Sequence, residues 1–520
     1  MHSGSRFIRG TLSAFAIAAA VSVTITGCGA QSAPTGATAG KAGNSGGNLV
    51  VGITTDPDTL LPWKATQFQA VSVLQNIYGT LTEFDKDLAV VPGLAKSWEA
   101  SDAGKTLTFK LREGVKFSDG SAFDSKDVKF SLDKIREEAT GAVARTSLAA
   151  VTAVEAPDPA TVVLRLSAPD AALPSNLAVV NMAILSSDDA EQSLMKAPNG
   201  TGPFALKDRV ASQSLKLARN DSYWGDKAKL DTVEMRVIPD ENSIVSAMQS
   251  GNVNFAVFNS PLVAKTAAGP NMSVAKTPQL SYHALQLNAR RGDLQDVNVR
   301  LAIQCAVDRQ QVLDTAALGE GEVTGPITSP AFKSNADDRP CAKRDLSKAA
   351  DYLSKAGKKD GVTLSTIVSQ GEYATSVDEA QNLKSQLAEA KITLNVEVLE
   401  SGAFVTRWKA GDFDAAVALN GGRPDPDGMY GRYFTSTGNL NKVAGYSSPA
   451  LDALFAEGKA STDPQKRKDI YAKVSKELEN NAAWVWLFTS YTYTTTTSSV
   501  QGFVPMANGS LQFLRTTTIN

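Results

Sequence analysis

Two carboxylates joined through one proline, Asp425-Pro426-Asp427, follow Arg423 closely in the stretch NGGRPDPD. Paired carboxylates serve glycoside hydrolysis when they flank a scissile bond, but two residues separated by a single proline share one turn and cannot stand on opposite sides of a substrate. Ser131-Leu132-Asp133-Lys134 and Ser193-Leu194-Met195-Lys196 match the Ser-x-x-Lys pattern of acyl-transfer enzymes, without the companion motifs that complete such a site. There is no His-Glu-x-x-His and no complete Gly-x-x-x-x-Gly-Lys-Ser/Thr phosphate loop. Imidazole is a favoured donor for zinc, copper and nickel, yet past the leader the chain holds a single histidine, His283, with no clustered ligands, and packing is its expected role. Catalysis, a metal and a cofactor are therefore not expected, and non-covalent binding is.

The elements that would position a binding site change character along the chain. Asn48 to Thr54 reads as a strand closed by the turn Asp56-Pro57-Asp58. Leu107, Phe109 and Leu111 alternate with Thr106, Thr108 and Lys110, the period of a half-buried strand, and Val162 to Leu166 is another, so 85–200 is strand-rich. Val299 to Leu313 carries apolar residues at spacings of three and four, which predicts one amphipathic helix. From 362 onward strands (362–368, 393–399, 413–419) alternate with helices (377–390, 403–410), which implies parallel βαβ units. Ligands of such sheets sit outside the carboxyl ends of the strands. That rule selects the loop Ser369 to Tyr373 and the loop Asn420 to Asp427, with Asp56 and Trp63 after the first strand facing them. The candidate ligand contacts are thus Asp56, Trp63, Tyr373, Gly422, Arg423, Asp425 and Tyr430; Trp408, at helical spacing, reads as core.

Composition bounds the class. The 520 residues are 42% hydrophobic and 20% charged with a net charge of -2, the values of an ordinary globular chain of two or three domains with no basic surface for nucleic acid. Arg6 and Arg9 precede an apolar run to Ile25 and then Gly27-Cys28, the layout of a secretory signal over 1–27. Ile25-Thr26-Gly27-Cys28 resembles the bacterial lipobox, which makes Cys28 the expected lipidation site. Residues 28–47 lack large apolar side chains after Cys28 and read as a flexible tether. Cys305 and Cys341 are an even pair in an oxidising compartment, where a disulfide is expected.

Residues 92–135, from PGLAKSWEASDAGKTLTFKLREGVKFSDG onward, resemble family 5 extracytoplasmic solute-binding proteins, the peptide, nickel and oligosaccharide receptors of ABC importers. NGTGPFALKD (199–208), LARNDSYWG (217–225), VRLAIQCAVDRQQV (299–312) and Pro424-Asp425-Pro426-Asp427 are similar to family segments in the same order. The resemblance implies an α/β, two-lobed periplasmic-binding-protein-like fold with an extra strand-rich domain inserted in lobe I. Lobe I would be 48–285 and 492–520, with the insertion near 85–200, and lobe II 286–491. It further implies a monomeric, lipid-anchored receptor on the extracytoplasmic face of the membrane, passing a peptide-like solute to ABC permease subunits. An oligosaccharide or other non-peptide solute, or sensing without transport, is the alternative. In the dipeptide-binding branch an arginine and an aspartate clamp the two ends of the peptide. The matching positions here are Gly371 and Gly422, so neither charged clamp is present.

Overall fold

The computed structural model describes residues 46–370 and 375–520. The expected leader, Cys28, most of the tether, Gly371 and Tyr373 lie outside the described residues.

The first strand, Asn48–Ile53, runs parallel to Thr232–Val237 on one side and Phe255–Phe258 on the other. Antiparallel strands complete this eight-stranded sheet: Ser214–Arg219 and Phe204–Val210 beyond one edge, and Phe488–Thr497 with Met272–Pro278 beyond the other, the short Gly321–Val323 also pairing with Phe488–Thr497. Phe488–Thr497 comes from the far end of the chain and lies between two earlier strands, so the sheet is complete only once the last tenth of the sequence is in place. A separate four-stranded antiparallel sheet orders Ala95–Ser101, Thr106–Leu111, Thr161–Leu166 and Val151–Asp158. The alternation read from the sequence appears in its burial: Leu107, Phe109 and Leu111 face the core and Lys110 faces water. Helix Ser125–Arg136 covers this sheet with Val128, Leu132 and Ile135, and starts at a reciprocal cap between Asp124 and Asp127. That helix also explains the first Ser-x-x-Lys match. Ser131 is buried and donates to the Leu185 carbonyl at 3.2 Å, while Lys134 pairs outward with Glu137.

The second region holds a five-stranded sheet in the order Ile392–Glu400, Val362–Gln370, Ala415–Asn420, Tyr282–Leu287, Trp484–Trp486. The first three are parallel, as the alternating pattern predicts. Tyr282–Leu287 is antiparallel to both of its neighbours, Ala415–Asn420 and Trp484–Trp486, so it opposes the βαβ strands while Trp484–Trp486 runs in their direction. The expected single helix over Val299–Leu313 is two, Val297–Ala306 and Arg309–Ala316. Its apolar period crosses the break with a gap only at Gln310, but Asp308 accepts from the Gln311 N–H at 3.0 Å and so starts a new helix. Cys305, at the end of the first of these helices, is bonded to Cys341, their Cα atoms 5.0 Å apart.

The two large sheets are joined by neighbouring crossings. One is Gln279–Ser281, between strands Met272–Pro278 and Tyr282–Leu287; the other is Leu487, between Trp484–Trp486 and Phe488–Thr497. Tyr282–Leu287, which a boundary at 285/286 would divide, belongs wholly to the second sheet. The crossings are tied together by the Thr489 hydroxyl, 2.6 Å from the Gln279 carbonyl and 2.7 Å from that of Ser281, and by the Leu487 N–H donating to the His283 carbonyl at 2.9 Å.

Candidate functional site

A cavity of about 790 Å³ opens beside these crossings, within the range of roughly 300–1,000 Å³ common for small-molecule sites. One wall follows the carboxyl ends of parallel strands in the first sheet: Glu241, four residues past the strand Thr232–Val237, and Asn259 to Leu262, directly past Phe255–Phe258. The facing wall carries Leu419, near the end of Ala415–Asn420, Thr375, and the turn Ala316 to Leu318. Gln279, Ser490, Tyr491 and Tyr493 of the crossing strands form the back. The strand-end rule for α/β sheets thus places this cleft from both sides. Two large apolar side chains stand out into it from opposite walls: Leu262 is 64% exposed and Leu318 is 65% exposed. Leu318 also has φ of 56°, a left-handed conformation that costs a leucine energy and occurs where surrounding structure enforces it.

The floor is polar and ordered. His283 Nδ1 lies 2.8 Å from Glu379 Oε1 and its Nε2 lies 3.0 Å from the Ser490 hydroxyl, while the ring stacks on Phe488 with centroids 4.2 Å apart. Glu379 is fully buried, accepts from the Thr375 hydroxyl at 2.5 Å, and leaves its Oε2 without a partner among the described residues. Hydroxyl, imidazole and carboxylate in a row have the order of an acyl-transfer triad. Here Ser490 is inside a strand with its carbonyl accepting from the Gln279 N–H at 2.9 Å, so the row fixes the imidazole and the hydroxyl at the back of the cleft. His283 therefore combines the packing expected of it with a place on the cavity wall.

The residues selected from sequence separate into several groups. Trp63 is fully buried in the core of the first region, its Nε1 donating to the Ala183 carbonyl at 2.9 Å and its ring against Phe130; it is not a cleft residue. Tyr430 is likewise fully buried, its hydroxyl bonded to the Pro326 carbonyl and accepting from Trp486 Nε1 at 2.9 Å. In both cases an aromatic just past a strand fills the core beneath the loop. Asp425 is 4% exposed and forms a two-point ion pair with Arg467, at 2.8 and 3.1 Å. Burial works against the Arg467 charge, but Asp425 holds its pKa above the ordinary value. Burial pushes the neighbouring Asp427 carboxyl up to about 6, with Lys459 opposing and Asp425 and Asp170 adding to the rise. Asp56 gives one oxygen to Arg209 at 2.9 Å; its other oxygen is buried with no partner among the described residues. Gly422 is a close-approach position, where any Cβ would collide with the Leu280 carbonyl of the crossing. Arg423 is exposed, and desolvation with the nearby Arg432 charge lowers its pKa. Trp408 is half-buried and donates to Gln286 at 2.7 Å. Sequence reading missed Glu241, Leu262, Leu318, Tyr491 and Tyr493. The strand-end rule, applied to the first sheet beyond its first strand, would have found Glu241 and Leu262.

Two lobes joined by paired crossings, with a cavity between their strand ends, define a solute-binding protein rather than an enzyme. Residues 89–441 match the bacterial extracellular solute-binding proteins, family 5, and the chain belongs to that family. It is 29% identical over 491 residues to Protein XP55 of Streptomyces lividans, covering 90% of this chain and 88% of that one. It is also 29% identical to the "Probable di/tripeptide-binding protein 5" of Pseudomonas aeruginosa over 477 residues, 84% of this chain and 88% of the other. The periplasmic binding protein DppA of Helicobacter pylori, in complex with peptide STSA, superposes with a TM-score of 0.69 at 26% identity, covering 92% of this chain and 98% of that one.

The buried pair yields a direct prediction. Asp425→Ala strands the Arg467 guanidinium and is expected to destabilise the unliganded protein by about 3–5 kcal/mol. Chemical unfolding without solute checks this; unchanged stability with weakened solute binding would return Asp425 to the cleft.

Proposed function

We propose that this protein is a lipid-anchored receptor of an ABC importer that closes its two lobes over a peptide or peptide-like solute and delivers it to a membrane permease. The cavity of about 790 Å³, lined from both sheets beside their crossings, is the observation that carries this reading. A solute touching both walls favours the state in which the walls approach, so binding and closure are one equilibrium. The permease then meets a composite face that only the closed receptor presents. Anchoring rests on the sequence alone: the signal-like segment before Cys28 and the small-residue tether after it.

The peptide reading draws support from the relatives and from the character of the walls. Tyr491 offers amphipathic surface, and Leu262 and Leu318 offer apolar surface to a side chain. Gly422 contributes no charge where the dipeptide-binding branch places a clamp. Affinity must come from contacts spread along the solute.

Calorimetry of the solute-stripped protein against peptides of two to five residues tests the reading. Dipeptides are expected to bind more weakly than longer peptides, and Leu318→Ser to weaken the best peptide about tenfold, the scale of one buried leucine contact, with little change in melting temperature. Tight binding of an oligosaccharide with no response to any peptide would overturn the solute class. Cys28→Ser is expected to release the protein from membranes in fractionation; continued membrane retention would overturn the anchor.

A further inference from the structure

Glu241 and Glu320 both line the cavity, and among its described lining residues none is a lysine or an arginine; the nearby ammonium of Lys276 is held by Glu320. The two acids differ in what they already hold. Glu320 receives Lys276 Nζ at 2.6 Å and the Tyr493 hydroxyl at 2.8 Å, and these partners outweigh its desolvation to hold its pKa below the ordinary value. Glu241 is half-buried and makes no hydrogen bond or ion pair among the described residues. Its neighbour Asp240 is committed elsewhere, capping helix Glu241–Gln249 by accepting from the Ser243 N–H at 2.7 Å. Desolvation and the Asp240 charge raise the Glu241 pKa above its usual value, the behaviour of a carboxylate short of a counter-charge.

We infer that Glu241 is the counter-charge for a cationic amine on the solute, which enters the cleft with its ammonium group against the first lobe. This rests on the receptor reading and adds the group that is recognised. An ammonium brings three donors to a carboxylate whose acceptors are all unused, and a half-buried setting strengthens such a contact relative to open water. Leu262, on the same wall, and Leu318, across the cavity, suit the apolar part of the molecule that carries the amine. A solute with a blocked amine would leave Glu241 desolvated and unpaired once the lobes closed, so the site discriminates as well as attracts.

The N-terminal ammonium of a peptide and an amine on a molecule without peptide bonds share this chemistry. The full chain, extracted in detergent and stripped of resident solute, is incubated with three probes: a degenerate tri- to pentapeptide pool made from amino acids lacking side-chain amines, the same pool N-acetylated, and 1,5-diaminopentane. Retained molecules are counted by mass spectrometry. The wild type is expected to retain free-amine peptides over acetylated ones by about tenfold or more, the scale of one charge-assisted contact. Glu241→Gln should abolish that preference and Glu241→Asp should keep part of it, both with melting temperatures near the wild type because no partner is lost. Equal retention of free and acetylated peptides by the wild type, or a preference that survives in Glu241→Gln, overturns the amine subsite and leaves the peptide reading standing. Retention of the diamine alone, lost in Glu241→Gln, upholds the subsite and overturns the peptide reading. Retention of none of the three overturns both.

Discussion

The carbonyl of Trp486 receives two buried arginines, Arg309 through Nε at 2.9 Å and Arg339 through Nη1 at 3.4 Å, and one residue later the chain passes from one lobe to the other. Burial and the adjacent Arg339 push Arg309 down to about 9, with Glu479 opposing, so it stays charged at neutral pH. Glu479, itself fully buried, answers Arg339 at 3.4 Å and takes Gln304 at 2.7 Å. This network pins the second-lobe side of the crossing, while the Thr489 hydroxyl ties it to the companion crossing at Gln279–Ser281. With both crossings fixed, the strand ends of the two sheets must face each other, and the cavity is the space left between them. Ser490 shows the economy of the arrangement, since it lies one residue beyond Thr489 and closes the polar row with His283 and Glu379 at the back of the cleft.

Charge is distributed according to the same plan. The buried carboxylates away from this cavity are largely matched: Asp425 faces Arg467, and Asp427 lies 3.5 Å from Lys459. Asp170, from the segment after the inserted sheet, is raised by burial and feels Lys459, Asp425 and Arg467, so the inserted region and the second lobe share one electrostatic cluster. A separate cavity of about 630 Å³ borders this cluster, with Asp425 and Arg467 among its lining. Because Asp425 is spent on Arg467, the acidic loop that looked most like a site in the sequence is a structural joint. The unmatched charge in the solute cleft lies instead on the first lobe.

The fold was legible where one pattern meant one thing. Strands at Thr106–Leu111 and Val362–Gln370 followed from alternation and from apolar runs between helices, and the family segments fixed the architecture. The helix pair at 297–316 was not, because the apolar period resumes beyond a single gap at Gln310, and it is the capping bond of Asp308 that marks the break. The antiparallel placing of Tyr282–Leu287 between Ala415–Asn420 and Trp484–Trp486 was hidden for another reason: it is set by the crossings, a long-range fact with no local signature. For the candidate site, the strand-end rule points to sheet edges and not to side chains. It cannot tell an aromatic that fills the core below a loop, as Trp63 and Tyr430 do, from one that rises into the cleft, as Tyr491 does. Nor can it show whether a carboxylate is already spent, which separates Asp425 from Glu241.

The central claim is that solute draws the lobes together about the crossings at Gln279–Ser281 and Leu487. Spin labels at Lys265 of the first lobe and Asp314 of the second, both exposed on helices near the cleft walls, report that motion as a distance distribution. Adding the peptide pool to the stripped protein should move the distribution to a shorter, narrower distance. Saturating binding with the distribution unchanged would contradict a receptor that works by closure.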